Sequence, residues 1–349
     1  YSFGRPSSGG SKAAYPCKSY GQGRINPAYF YGIFDPNDMR RDVSITMTGS
    51  NGKGVEKLIP FVPNSKAEGG GLTLNKWDEN RQANPWVAAQ RKSGINGPYM
   101  RMSEVYLGYA EVCAALGDVV TGKQYLKTVR ERSFPQGLAD TDGFIASFGN
   151  DLVRAIIEER GFEYAGEGDR RWTLIRSGYL PEDIKRIKDM TKAMMDGLAT
   201  KGYYECENGN IISAYIWTKL VDAKTIYGHR LTAQCPMDKV NDPVLYPGWR
   251  GQKDNWEEMG LNYGNSAPAT NLAIKGLFEI VSEEEAASLE SQGYAKVNWG
   301  IDLVDYRDEY DKYLFWDYDY VSAPIYLWPF TPNVMAAGGF TNGYGFKQE

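Results

Sequence analysis

A helical hydrophobic period runs strongly through one part of this chain, residues 99–198, and it commits the fold to a helical core. Met102, Val105, Tyr106, Tyr109, Cys113 and Leu116 recur at three- and four-residue steps, predicting an amphipathic helix of about four turns. Gly117-Asp118 is a C-terminal stop. Tyr125, Leu126, Val129 and Arg132 carry the period on to Pro135. A third helix is expected from an Asn150 N-cap to Ala165, with Leu152, Ile156, Glu159 and Glu163 on successive turns. A fourth spans Pro181–Leu198, with Ile184, Ile187, Met190, Met194 and Leu198 as its apolar face. Beyond this region only Ser282 and Glu285, at capping-box spacing, open a further helix, which ends before Gly293.

The first two helices face each other across a short polar turn, so they form an antiparallel hairpin. Ala110 and Gly122, one on each, suit the close contact of a tetratricopeptide-like pair, although one hairpin is not an array. The flanks have a different texture. Residues 1–98 are rich in Gly, Pro, Asn and Ser, with short runs such as Val43–Met47 and Leu58–Val62 that read as turns or brief strands. Eleven aromatics there argue against disorder. Residues 167–178 read as a charged strand or loop, and Ile211–Val221 as a short helix or strand. The expected fold is therefore mainly α, with little sheet and large irregular loop regions. Its parts are a loop-rich, ligand-facing 1–98, a helical core at 99–200, and a loop-rich 201–349 packing back on the helices.

Chemistry is bounded by scarcity. His229 is the only histidine, so a two-histidine metal motif is impossible, and no G-x-S-x-G surrounds any serine. The net charge of −5 disfavours a nucleic-acid partner. Cys17, Cys113, Cys206 and Cys235 form no C-x-x-C pattern; Cys113 falls on an apolar helix face, and Cys206 and Cys235 lie in loop-like stretches as the one candidate pair. No cofactor or metal is called for, and the acidic stretch Asp302–Asp319 lacks a D-x-D-x-D-G calcium loop. Against these absences stand 25 Tyr, 13 Phe and 9 Trp, side chains that concentrate where a protein grips a partner.

Glu158, Glu159, Arg160, Glu163, Glu167, Arg170, Arg171 and Arg176 form a dense acid–arginine cluster. Paired acids serve glycoside hydrolysis, but neighbouring arginines lower carboxylate pKa values, the wrong direction for a general acid. A structural ion network is the expectation. Trp172, Trp217 and Trp328 lie in apolar segments and read as core; Trp77, Trp86, Trp249, Trp256 and Trp299 lie among polar residues in loops.

Three segments resemble the SusD/RagB family of outer-membrane nutrient-binding lipoproteins. They are YMRMSEVYLGYAEVCAALGD at 99–118, followed by YLKTVRERS at 125–133; IIEERGFEYAGEGDRRWTLIRSG at 156–178; and YLWPFTPNVM with FTNGYGF within 326–346. FDPNDMRRD at 34–42 is also similar to the family's stretch ahead of the hairpin. Two departures stand out: Gly161 interrupts the usual helix after Glu-Arg, and Thr341 replaces a frequent Gln.

The resemblance implies a non-enzymatic, SusD-like protein at the cell surface, lipid-anchored to the outer membrane through an N-terminal part that this chain is expected to lack. It implies capture of oligosaccharides, or of peptides as in RagB-like members, for import through a SusC-like TonB-dependent transporter. A carbohydrate-active hydrolase is the rival reading. In the family the face ahead of the hairpin contributes to the ligand site. Here it offers Trp77, Asn80, Arg81, Asn84 and Trp86, with Tyr29 and Tyr31 in a second aromatic loop upstream. Rings would cover a sugar's C–H face while the amides and Arg81 meet its hydroxyls.

Overall fold

The computed structural model describes residues 23–50, 56–61, 71–77, 97–134, 136–222, 270–307, 331–339 and 341. The fold is mainly α. A π-helical turn, Tyr29–Ile33, leads into α1, Met39–Ser44, whose N-cap Asp38 accepts from the Arg40 N–H. The hairpin follows as α2, Met102–Ala115, and α3, Val119–Glu131, the latter capped by Asp118 onto the Thr121 N–H. A Cβ on Gly122 would lie 3.0 Å from the Ala110 carbonyl oxygen and 3.2 Å from the Ala114 nitrogen, so a side chain there would force the helices apart. Cys113 is buried, as its helix face predicts.

The short α4, Thr141–Ala146, precedes α5, Leu152–Glu163. The N-cap of α5 is Asp151, not Asn150; Asn150 adopts φ 65° and turns the chain, while the Asp151 carboxylate accepts from the Arg154 N–H. Gly161 does not interrupt α5, which is continuous through it. Residues 167–178 are neither strand nor loop. Asp169–Ser177 form α6, bounded by Gly168 and Gly178 in the left-handed region, where glycine carries no Cβ penalty. Trp172 is not core: Thr173 and Leu174 take the inward face of α6, leaving the indole 53% exposed. The long α7, Leu180–Lys201, starts with Pro181 in its first turn.

Strands are short and antiparallel. β1, Ile45–Thr46, pairs with β4, Thr73–Leu74; β2, Thr48–Ser50, pairs with β3, Glu56–Leu58; β5, Tyr203–Glu205, pairs with β6, Ile211–Ser213. A three-stranded sheet places β7, Tyr215–Asp222, between β8, Thr270–Lys275, and β9, Ala295–Asn298. The capping box at Ser282 opens α8, Glu283–Ser291, and α9 is Gly300–Asp305. Another short helix spans Pro332–Gly338.

The largest core gathers Phe30, Tyr31 and Phe34 with Met194 and Leu198 of α7, Ile216 and Ile274 of the sheet, and Trp299. Trp299, expected on a loop surface, is fully buried with its ring 4.3 Å from that of Phe61. Trp217 is buried as expected. A second core fills the hairpin with Leu107, Ala110, Leu126 and Val129 against Leu152 and Ile156 of α5. No helix among the described residues is long and apolar enough to cross a membrane.

Candidate functional site

The centre of the charge cluster is α5, where Glu158, Glu159 and Glu163 are buried along with nearly every other residue of the helix. Charges this deep persist only when paired and hydrogen-bonded. Glu158 accepts from Arg170 at 2.9 Å and Arg186 at 2.5 Å. Glu159 accepts from Arg40 at 2.7 Å and Arg130 at 3.0 Å. Glu163 accepts from Arg40 at 3.1 Å, Arg101 at 2.7 Å and Arg132. Glu167 is held by Arg101 through two bonds of 3.0 and 2.8 Å, and by Lys76. Arg160 reaches Asp169 at 2.5 Å, and Arg176 clasps Glu111 of α2.

Burial pushes the Glu158 carboxyl up, but Arg170 and Arg186 outweigh it and hold it at about 2. Glu163 follows the same pattern: burial raises it, and Arg40, Arg132 and Arg101 bring it down to about 2. Groups held so low are permanently ionised and cannot deliver a proton to a leaving group near neutral pH. The cluster joins α1, α2, α3, α6 and α7 to α5, as a structural network does.

Beside it lies an open cleft of about 840 Å³ between the 32–38 segment, the end of α3, α4, α5, α7 and the β5–β6 hairpin. Phe144 and Phe148 supply aromatic wall, and Asp35, Arg130, Arg186 and Asn208 supply polar groups. The Arg130 guanidinium packs 3.9 Å from the Phe144 ring centroid and 4.6 Å from that of Phe134. The buried Nε atoms of Arg130 and Arg186 find no hydrogen-bond acceptor among the described residues. Aromatic faces next to charged and amide groups can hold a polar ligand by stacking and hydrogen bonds. The cleft is not legible in the sequence because its walls come from six separate segments with no common spacing.

The aromatic loop expected to bear Tyr29 and Tyr31 is not a surface platform. Tyr31 is fully buried, and its hydroxyl accepts from the Trp299 indole N–H at 2.7 Å. Its carbonyl accepts from the side-chain amides of Asn208 and Asn210, both at 2.8 Å. Tyr29 donates to the Gly161 carbonyl at 2.7 Å and stands edge-on to Phe34. Burial pushes both phenols above their ordinary pKa. The hydrophobic driving force for a YFY run beside apolar neighbours outweighed its loop-like setting. Trp77 is half-buried just after β4. Asn80, Arg81, Asn84 and Trp86 lie outside the described residues, as do Trp249, Trp256 and Trp328. Cys206 is a buried free thiol, raised to about 12 by burial and by Glu205 and Glu207; Cys235 lies outside the described residues. Among the described residues no group of three or more His, Cys, Asp or Glu side chains converges to hold a metal ion.

A mainly helical scaffold with an ion-locked centre and a mixed polar–aromatic cleft is the class of protein that fold and site define. The chain belongs to the SusD family, whose model matches residues 4–333. It is similar to a SusD-like protein of Formosa agariphila, 28% identical over 160 residues, which are 46% of this chain and 26% of that protein. Among solved structures it is similar to a SusD superfamily protein from Bacteroides vulgatus, at 17% identity and TM-score 0.31, covering 49% of this chain and 36% of the other. A SusD homologue from Bacteroides thetaiotaomicron gives 22% identity and TM-score 0.30, covering 46% and 33%. Each match thus spans well under two thirds of the relative's length.

Proposed function

We propose that this chain is part of a non-enzymatic, cell-surface nutrient-binding protein that captures oligosaccharide and hands it to a SusC-like TonB-dependent transporter in the outer membrane, to which the complete protein is lipid-anchored. The observation that carries this reading is the family match over residues 4–333. The ionisation of Glu158 and Glu163 supports binding over hydrolysis, because neither acid can serve as a proton donor. The proposed ligand contacts are Trp77, Asn80, Arg81, Asn84 and Trp86; Tyr29 and Tyr31 leave the site for the interior. Trp77→Ala and Trp86→Ala should each weaken oligosaccharide binding by about 1 kcal/mol or more, the mark of an anchor residue. Calorimetric titration with the best ligand from a glycan and peptide array checks this. Unchanged affinity in both would remove the loop from the site, and release of cleaved products would favour a hydrolase.

Peptide capture is a second reading, and the cleft favours it. Asp35, Asp140 and Glu207 on its wall suit an amino group or a basic side chain better than a neutral sugar. The same array separates the two ligand classes.

A further inference from the structure

The turn that joins β5 to β6 holds a reactive dipeptide, Asn208-Gly209. Nδ2 of Asn208 donates to two main-chain carbonyls of a distant segment, that of Tyr31 at 2.8 Å and that of Phe34 at 2.7 Å. Its Oδ1 accepts from the Asn210 N–H at 3.1 Å. Nδ2 of Asn210 adds a second bond to the Tyr31 carbonyl, also at 2.8 Å. The 29–34 segment is thus clamped to the hairpin largely through one amide nitrogen. Asparagine supplies two N–H donors on one atom with an acceptor beside them, and no other side chain this short does. Glycine follows it because the backbone at 209 has φ 82°, in the left-handed region. The geometry therefore imposes the Asn-Gly pair, and with it a chemical liability. Glycine has no Cβ to keep its backbone nitrogen away from the side-chain carbonyl carbon of the residue before it.

We propose that Asn208 is a deamidation site that the fold holds closed, and that its conversion releases the 29–34 segment irreversibly. The Gly209 backbone nitrogen attacks Cγ of Asn208. A new N–C bond forms as the Cγ–Nδ2 bond breaks, the Gly209 N–H proton passes through solvent to Nδ2, and Nδ2 leaves as ammonia. Water then opens the succinimide at one of its carbonyls, giving aspartate or isoaspartate. Every protein atom involved belongs to residues 29–34 and 206–210, so the reaction needs no exposed face and no partner beyond water. In the closed turn both reacting groups are occupied: the Gly209 N–H donates to the Cys206 carbonyl at 2.9 Å, and the Asn208 amide is fixed by its three bonds. The reaction therefore proceeds through local opening of the turn. Reclosing does not undo it. The aspartate product is ionised near neutral pH and only accepts hydrogen bonds, so it would set lone pairs against those of the Tyr31 and Phe34 carbonyls. The isoaspartate product lengthens the backbone and disturbs the Cys206 N–H bond to the Asn210 carbonyl. Either one adds a negative charge to a cleft wall that already carries Asp35 and Glu207.

Peptide mapping by mass spectrometry, with enzymatic methylation of isoaspartate, follows Asn208 separately from Asn51, Asn96 and Asn342, which also precede glycine. Conversion at Asn208 in the folded 349-residue chain should be at least about tenfold slower than in the same chain unfolded in guanidinium. Asn208→Asp, which makes one product directly, should speed amide hydrogen exchange across residues 29–34 by about tenfold or more. The increase should exceed that of Asn208→Ala, which removes the donors without adding a repelling charge, and exchange in the α2–α3 hairpin should stay parental. The kinetic comparison uses the parent chain and does not depend on either variant folding. Equal conversion in the folded and unfolded chains, an Asn208 that stays intact when unfolded, or a 29–34 segment that exchanges no faster in Asn208→Asp than in Asn208→Ala would each overturn the proposal.

Discussion

Gly161 owes its identity to what lies beside it. A Cβ at that position would sit 2.8 Å from Nη1 of Arg170. Arg170 cannot step aside freely, because it donates to the Ile157 carbonyl at 3.1 Å, to Glu158 at 2.9 Å and to Asp183 at 3.0 Å. Gly161 makes a seat for a guanidinium inside a continuous helix. The carbonyl of Gly161 itself receives the Tyr29 hydroxyl. Arg170→Ala should therefore destabilise the protein strongly. Glu158 would keep Arg186 at 2.5 Å, so the loss belongs at the low end of the range for breaking a buried pair, about 3 kcal/mol. Urea unfolding measures it. Ligand affinity of the folded fraction should barely change, and a variant of parental stability that no longer binds would contradict the structural role of the cluster.

At the scale of elements, close approach decides the hairpin. Gly122 lies against backbone atoms of α2 and against Leu152 of α5, whose Cδ2 a Cβ would meet at 3.1 Å. Backbone cannot rotate away as a side-chain tip can, so overpacking here must part the helices. Gly122→Val should cost about 1–3 kcal/mol and lower the thermal midpoint, whereas Gly108→Ala, with open space around it, should not destabilise the isolated fold. A melt in which the two variants behave alike would refute this account. The α2–α3 hairpin, α7 and α8 were legible from periodicity and caps within a few residues. The α6 helix was not: its charged residues reach partners on α2, α5 and α7, and a helix that docks through ion pairs, with only Thr173 and Leu174 buried, shows no apolar stripe. Asp151 replaced Asn150 as cap because two adjacent cap-competent residues differ only in which one takes the extended conformation.

At the scale of the whole molecule, the cluster links stability to acidity. Glu158 and Glu163 are at about 2 in the folded chain against 4.5 ordinarily. Between those values the unfolded chain binds more protons, so stability rises with pH across that window. It is fully present above about pH 5 and is lost as pH falls towards 2, by on the order of 3 kcal/mol for each carboxylate. Urea midpoints should fall steadily from about pH 5 to pH 3, and Glu158→Gln should blunt the fall. A flat profile in the parent would show that these carboxylates are not held by their arginines. The ligand site belongs to this scale too: the cleft needs the 32–38 segment, α4 and α7 assembled before it exists.

The sequence alone determined the helical class, the position of the hairpin, the buried Cys113 and the structural nature of the acid–arginine cluster. Each rests on local spacing or on charge chemistry that does not depend on distant chain. Tertiary structure decided which aromatics are inside. Trp172, in an apolar context, is exposed because it lies on the far side of α6; Trp299 and Tyr31, in polar or loop-like contexts, meet each other in the core from positions 268 residues apart. Burial is a property of the face a residue presents after packing. A short stretch of sequence records the residue's neighbours along the chain, whereas the free energy of burying a ring is set by neighbours that only the folded chain supplies.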